Sequence, residues 1–494
     1  MKKIFFVFFF ALLLFVFVGC GGHNYGSYNY PVAVDPDALG ESYLDITENP
    51  FVSAQEQSTS AFALDTSTAG YANIRRMINQ GTTVPKSAVK IEEMVNYFKY
   101  DYPAPAPGDG VGVSAEIIDC PWTPGNKLLT IGVKAEPLEI ISPRKNNLVF
   151  LLDVSGSMAA PNKLPLMQDA FKLFLETLDD DDTISVVTYA SGVSVRLNGA
   201  KGFEKKMIAN IIEDLTAEGA TAGSKGLQTA YAVAAQNFIE GGNNRIILGT
   251  DGDFNVGISN NKKLEEFITE KRKSGVYISV LGFGTGNLKD DKLEIITQNG
   301  NGKYSYIDSI NEARKVLVEE IGGTLNVVAK DAKAQVTFNP RYVKEYRLLG
   351  YENKLLTDEE FEDEATDAGE IGAGHVATAV YELVLNDDEG VESSLGNNWL
   401  QIAVRFKSPE DDSPGEVVLP VNESHEKSAP SEDALFISGV IEFALLLRDS
   451  EYKGNASRQA IIARLSELNS VENDEYKKEF LELVEKYNKW LEVR

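Results

Sequence analysis

Three short segments of the 494-residue chain carry residue types that could do chemistry. The first is Asp153-Val154-Ser155-Gly156-Ser157, directly after an apolar run with strand character. The second, Gly219-Ala220-Thr221-Ala222-Gly223-Ser224, opens a helical pattern carrying Leu227, Tyr231 and Ala234. The third, Thr250-Asp251-Gly252-Asp253, follows the apolar run Ile246-Ile247-Leu248. In open parallel sheets, ligands gather outside the carboxyl ends of the strands, and segments placed there can meet. Asp153, Ser155, Ser157, Thr221 and Asp251 would then bring together two carboxylates and three hydroxyls, with glycines letting the backbone bend close. Oxygen donors alone suit a hard divalent cation such as Mg²⁺ or Mn²⁺ and argue against zinc. So few carboxylates leave the ion electrophilic, with one position open for a ligand's own carboxylate. The competing reading is structural, because Asp, Ser and Thr are ordinary helix-cap and turn residues.

The elements that must position these residues are legible in the hydrophobic pattern. Apolar runs at 148–152, 184–189, 245–248 and 276–283 read as strands joined by helices, and between the first two Met167, Ala170, Phe171, Phe174 and Leu178 form one helical stripe. Apolar strands alternating with helices predict a parallel sheet buried on both faces. Strand patterns also occur just before this unit, at 111–118 and 128–133, and again after it, at 334–338, 346–349, 376–385, 399–406 and 417–420. The α/β unit is therefore expected to be inserted into a β-sandwich made from both flanks. Residues 51–110 read as a helical region, in which Ile91, Met94, Val95 and Phe98 share a face after Pro85, with Ser87 as the cap. Helices return over 430–494, where Tyr476, Phe480, Leu483, Val484, Tyr487 and Leu491 form a stripe, and the apolar segment 435–447 is too short to span a bilayer. The acidic stretch 357–370 reads as a solvated loop, since it lacks the ligand order of an EF-hand.

Composition bounds the partners. A chain of this length exceeds one compact core, and 43% hydrophobic with 24% charged residues is an ordinary globular balance. The formal charge of −27 repels phosphate backbones and anionic lipid, so no nucleic-acid partner is expected. Met1-Lys2-Lys3 precedes an apolar run to Val18 and then Gly19-Cys20, the order of a signal peptide, and Phe17-Val18-Gly19-Cys20 resembles a bacterial lipobox. The expectation is a leader over 1–19, lipid on Cys20 and a tether over 20–50. That places the protein in the cell envelope, held by acyl chains to a bacterial membrane, with the outer membrane expected because Gly21 is not an inner-membrane-retaining aspartate. Lipidation of Cys20 would leave Cys120 without a partner, as a buried inert thiol.

With these residues assembled, Asp153-x-Ser155-x-Ser157, Thr221 and Asp251 resemble the metal-ion-dependent adhesion site of von Willebrand factor type A (vWA) domains. The resemblance implies a doubly wound, Rossmann-like α/β domain over 146–325. It implies that Ser155, Ser157 and Thr221 contact the metal, that Asp153 and Asp251 act directly or through water, and that Asp253 stands behind them. Further stretches resemble the bacterial YfbK-like lipoproteins, among them Tyr71-Ala72-Asn73-Ile74-Arg75-Arg76, Ile91-Glu92-Glu93-Met94, Gly282-Phe283-Gly284-Thr285-Gly286-Asn287 and the run from Asp367 through Glu370 to His375. That resemblance runs from about residue 48 to the end and assigns β strands to 111–140, a β-rich region to 330–425 and no settled ligand.

Enzyme readings lack their parts. An aspartyl-phosphate enzyme would want a carboxylate at position 155; GATAGSKG from Gly219 is one residue short of a P-loop; GFGTGN reads as a turn rather than a dinucleotide fingerprint. The histidines are His23, His375 and His425, none inside the α/β unit, so a Ser-His-Asp triad has no base. The expectation is a non-catalytic protein that binds a partner protein's carboxylate through the metal. The alternatives are an assembly protein in which the metal only stabilises the fold and, more remotely, a metal-assisted hydrolase.

Overall fold

The computed structural model describes residues 40–137, 144–221, 223–252, 261–386 and 393–492. The leader, Cys20, His23 and Asp253 lie outside the described residues, as does the tether up to residue 39. Strand Asn146–Asp153 is buried along its whole length, and its side chains alternate between two cores. Leu148, Phe150 and Leu152 pack with Phe171 and Phe174 of helix Leu164–Thr177 on one face. Val149 and Leu151 pack with Leu227 and Ala234 of helix Gly223–Gln236 on the other. A strand whose two faces are both covered has no polar side to show, hence its unbroken apolar run. Six strands form this sheet in the order Tyr304–Ile307, Val276–Phe283, Asn243–Thr250, Asn146–Asp153, Thr183–Tyr189, Val193–Lys201. All pairings are parallel except the last, which is antiparallel. Two of these strands had no apolar signature. Val193–Lys201 is a sheet edge with mostly exposed side chains, and Tyr304–Ile307 is only four residues long.

The strands on either side of this domain pair with one another. Val376–Leu385 runs antiparallel to Lys127–Ala135, with Ala379 opposite Ile131. A second sheet is built on Val327–Phe338, flanked by Leu400–Lys407 and by Thr59–Ala63. The two sheets share one core, in which Ile131 and Ala379 from the first meet Phe62, Val336 and Ile402 from the second. The α/β domain is thus inserted in the chain between two strands of a sandwich.

Thr59–Ala63 corrects the helical reading of that stretch. Its five residues, TSAFA, are too short and too small-sided to show an alternation, and only pairing in the sheet makes them a strand. Helix Ile91–Val95 is also shorter than expected. Its cap position is Lys90, with no side-chain cap, and Ser87 sits in a separate turn, Lys86–Ala88. The apolar face is nonetheless buried, and Phe98 joins Tyr71, Phe436 and Phe480 in a core shared by the helices of both flanks. Glu432–Arg448 is buried on nearly all sides within that core, and among the described residues no helix is long and apolar enough to cross a membrane. The acidic stretch is structured too. Thr357 caps helix Asp358–Glu362, with Glu360 bonding back to it, and Gly369–Gly372 pairs with Val327–Phe338. Cys120 is buried beside Glu382, and burial followed by that carboxylate pushes its thiol up to about 12, so it is inert.

Buried ion pairs join the layers. Arg75 meets Asp308 at 2.6 Å, Glu312 at 2.8 Å and Glu479 at 3.0 Å, and so ties the N-terminal helix Ala69–Gln80 to the α/β domain and to helix Glu475–Glu492. Lys90 lies 2.9 Å from Asp290 and 2.6 Å from Glu294. Residues 40–43 are bound rather than loose, which corrects the tether at its end. Glu41 is 4% exposed and pairs with Arg76 at 2.9 Å, and the Ser42 amide donates to the Leu288 carbonyl at 2.9 Å.

His375 carries one prediction. Its Nε2 lies 3.2 Å from the Glu320 carbonyl oxygen, and burial followed by the Lys303 ammonium pushes its pKa down to about 4. A histidine in the unfolded chain titrates near 6.5, so between these values the unfolded chain holds more protons and stability falls as pH falls. From pH 7 to pH 4.5 the wild type is expected to lose about 2 kcal/mol more than His375→Gln, read from urea midpoints. Parallel pH profiles for the two proteins would remove this account.

Candidate metal-ion site

Asp153 ends its strand at the carboxyl edge of the sheet and is fully buried. The chain turns at once, and the Ser155 amide donates to Asp153 Oδ1 at 2.9 Å, which folds the Asp-x-Ser segment over its own carboxylate. Ser155 is buried and Ser157 exposed, with their hydroxyl oxygens 3.1 Å apart. Strand Asn243–Thr250 lies alongside, Gly249 opposite Leu152, so Asp251 emerges beside Asp153. The Thr250 hydroxyl donates to Asp153 Oδ2 at 3.2 Å, and the Ser157 hydroxyl bonds to Asp251.

The loop carrying Thr221 is laced to the first turn by its backbone. The Glu218 amide donates to the Val154 carbonyl at 2.8 Å, and the Gly156 amide to the Gly219 carbonyl at 2.9 Å. Gly219 has φ +78°, and a Cβ there would stand 2.3 Å from the Ser191 hydroxyl, so the bend requires glycine. Direct hydrogen bonds therefore connect Asp153, Ser155, Ser157 and Asp251. Thr221, two residues beyond Gly219, is half-buried, and its hydroxyl makes no hydrogen bond among the described residues, so it is not among the residues these contacts bring together.

The two carboxylates differ sharply. Asp251 is 1% exposed; burial raises its pKa, but Lys163 Nζ at 2.9 Å and Asn287 Nδ2 at 3.0 Å outweigh that and hold it below the ordinary range. Lys163 also donates to Asn287 Oδ1 at 2.9 Å, which closes a three-residue clamp. Asp153 has no cationic side chain within ion-pair reach among the described residues, and burial pushes its carboxyl up to about 6. A buried carboxylate without a counter-charge is costly, and a divalent cation would supply one. Hydroxyls 3.1 Å apart beside that carboxylate are hard oxygen donors, so the donor set fits Mg²⁺ or Mn²⁺. Among the described residues no group of three or more His, Cys, Asp or Glu is placed to hold a metal.

Lys163 and Asn287 escaped the sequence reading. Lys163 precedes helix Leu164–Thr177 and looks like an ordinary helix-start residue; Asn287 follows the glycine turn whose Gly284 and Gly286 have φ +76° and +92°. The only local signal was that turn, placed directly after strand Val276–Phe283.

Family profiles match over most of the chain. "Uncharacterized protein YfbK, C-terminal" matches residues 323–490, "von Willebrand factor type A domain" residues 147–319 and "von Willebrand factor" residues 37–130. The "Uncharacterized protein YfbK" of Escherichia coli (strain K12) is 38% identical over 463 residues, covering 90% of this chain and 80% of that protein. The "Uncharacterized protein sll0103" of Synechocystis sp. is 31% identical over 167 residues, covering 34% of this chain and 39% of that protein. Among solved structures, a "von Willebrand factor type A from Catenulispora acidiphila" covers 70% of this chain and 80% of its own, with 14% identity and a TM-score of 0.43.

Proposed function

Since the chain belongs to the YfbK family and carries a vWA domain, we propose that it is a non-catalytic binding protein of the cell envelope. In this reading Asp153, Ser155, Ser157, Thr221 and Asp251 hold a divalent cation, Mg²⁺ or Mn²⁺, at the carboxyl edge of the sheet. When bound, that cation supplies a hard electrophilic centre with a coordination position for a carboxylate of a partner protein. The observation that carries the reading is the state of Asp153: fully buried, without a side-chain counter-ion among the described residues, and flanked by paired hydroxyls.

The chain's own residues prepare the site. The Ser155 amide and Thr250 hydroxyl orient the two Asp153 oxygens, and the Lys163–Asn287 clamp neutralises Asp251 and holds it in place. A clamp of this kind keeps the summed charge of the cluster low, which favours binding an anionic group from outside over saturating the cation within. A hydrolytic reading is less favoured, because among the described residues the histidines His375 and His425 sit at the sandwich, Asp251 is committed to Lys163, and Asp153 is assigned to the cation. In the same reading Cys20 carries the lipid anchor, supported by the Phe17-Val18-Gly19-Cys20 motif after an apolar run, and the protein faces the periplasm or the cell surface from a bacterial membrane, the outer membrane by preference.

The test is a crosslinked pull-down from native envelopes with the tagged chain, in Mg²⁺ and in chelator. Capture of the partner is expected to fall at least tenfold, about 1.4 kcal/mol, when the divalent ion is removed. Capture that survives chelation while the melting temperature drops would favour the assembly reading, in which the cation only stabilises the fold.

A further inference from the structure

A cavity of about 400 Å³ lies between the α/β domain and the sandwich, lined by Arg245, Asn301, Glu370 and His375 among others. Arg245 belongs near the start of strand Asn243–Thr250, so the cavity is at the opposite end of that strand from Asp251 and is separate from the candidate metal site. Glu370 ends the acidic stretch and His375 closes the glycine-rich run that follows it, a sequence feature the vWA reading leaves without a role. A volume of this size is that of a small-molecule pocket.

The charged groups lining it sort into those already neutralised and those not. Lys354 pairs with Asp65, Lys303 with Glu320 at 3.1 Å, and Asp367 with Arg272, while Glu265 is exposed to solvent. Arg245 and Glu370 have no ion-pair partner among the described residues. Arg245 is 2% exposed; its Nη1 donates to Ser279 at 2.8 Å and to the Asn301 carbonyl at 3.3 Å, its guanidinium lies 5.6 Å from the Tyr277 ring centre, and its Nε has no hydrogen-bond partner among the described residues. Glu370 accepts from Asn301 Nδ2 at 2.9 Å through Oε1, while its buried Oε2 has no partner. One residue thus hydrogen-bonds both opposite charges, and Asn301 does so in a left-handed conformation, φ 48°.

Buried polar atoms are almost always hydrogen-bonded, and exceptions call for an explanation. Here burial lowers the guanidinium pKa, with Glu370 and Tyr277 acting against it, and burial followed by Asp331 raises the carboxyl well above its ordinary value, with Arg245 and Lys330 acting against it; in both groups burial outweighs the counter-charges within the protein. A ligand that is only an anion would leave Glu370 unanswered, and one that is only a cation would leave Arg245 unanswered. We propose that this cavity binds a small zwitterion of the α-amino acid type, free or as the two ends of a short peptide, with its carboxylate on Arg245 and its ammonium on Glu370. Leu64, Ile295 and Val327 give the pocket an apolar wall for the side chain.

Thermal-shift and calorimetric titration of the full chain decide it, with the twenty L-amino acids singly, the dipeptide Ala-Ala, and acetate and methylamine as half-molecules. At least one amino acid or the dipeptide is expected to raise the melting temperature and bind with a Kd below about 1 mM, while acetate and methylamine do neither. Binding by the amino acid alone, or by the dipeptide alone, identifies the source. Glu370→Gln, which keeps the shape, is expected to weaken binding at least about tenfold, and Arg245→Lys similarly. Chelator and Asp153→Ala should leave this binding unchanged, so its outcome is independent of the metal reading. The proposal fails if no zwitterion shifts the folded protein, if acetate binds as tightly as the amino acid, or if Glu370→Gln binds unchanged.

Discussion

Asp153→Ala is expected to remove Mg²⁺ binding, with at least about a 100-fold loss of affinity by calorimetry, while the chelated protein stays folded. The first half follows from the donor set. Even outer partners of metal ligands cost 10–100-fold when removed, and Asp153 is the one carboxylate in the cluster that Lys163 does not already occupy. The second half follows from opposing terms. With its pKa near 6 in the fold against about 4 in the unfolded chain, the ionised carboxylate costs about 3 kcal/mol at neutral pH. This cost is absent below the unfolded value and complete once the pH exceeds 6. Deleting the side chain relieves it but orphans the Ser155 amide and the Thr250 hydroxyl, at about 1–3 kcal/mol each. These nearly cancel, so the melting temperature in chelator should move little, whereas the stabilisation by Mg²⁺ should vanish. A variant that keeps its Mg²⁺ response would show that the cation sits elsewhere.

Arg75→Ala is expected to destabilise the protein by about 3–5 kcal/mol, the range for breaking a buried ion network by removing one member. The guanidinium makes a two-pronged contact with Asp308, through Nε at 2.9 Å and Nη2 at 2.6 Å, and also meets Glu312, Tyr97 and Glu479. Its loss strands the Glu312 carboxyl, whose pKa burial already raises above the ordinary range and which Arg75 and Lys315 bring back down in part. The network joins an N-terminal helix, the α/β domain and the last helix, so the loss should appear in a single denaturation transition and not as fraying of one layer. Adding Glu312→Gln to Arg75→Met should restore a good part of the stability, because the uncompensated charge is gone. A loss below about 1 kcal/mol for Arg75→Ala would mean that the apolar core around Tyr71, Phe98 and Phe480 alone holds the layers together.

The contrast between Arg75 and Asp153 also shows how much the sequence by itself determined. Periodicity is a local property. It was therefore enough for the central strands, whose two faces are both covered, and for the helix carrying Phe171 and Phe174. The positions of Asp153 and Asp251 at strand ends were legible for the same reason: an apolar run that stops at a carboxylate marks the edge of a buried sheet. The pairing of both flanks into one sandwich could be anticipated from strands on either side of the insertion, since edges of short sheets need partners.

Tertiary structure alone decided the rest. Thr59–Ala63 is a strand because Val327–Phe338 offers it a ladder, not because of its own residues. Whether a carboxylate is neutralised depends on which remote cation reaches it, and no spacing in the sequence places Lys163 or Asn287 on Asp251, or withholds a cation from Asp153. The same holds at the other end of the sheet, where Asn301 hydrogen-bonds both Arg245 and Glu370 and neither has an ion-pair partner among the described residues. Apolar burial follows from average composition along a short window, whereas charge pairing turns on distances of a few ångströms between segments a hundred residues apart. Hence the chain announces its layers in its pattern and reveals its chemistry only when folded.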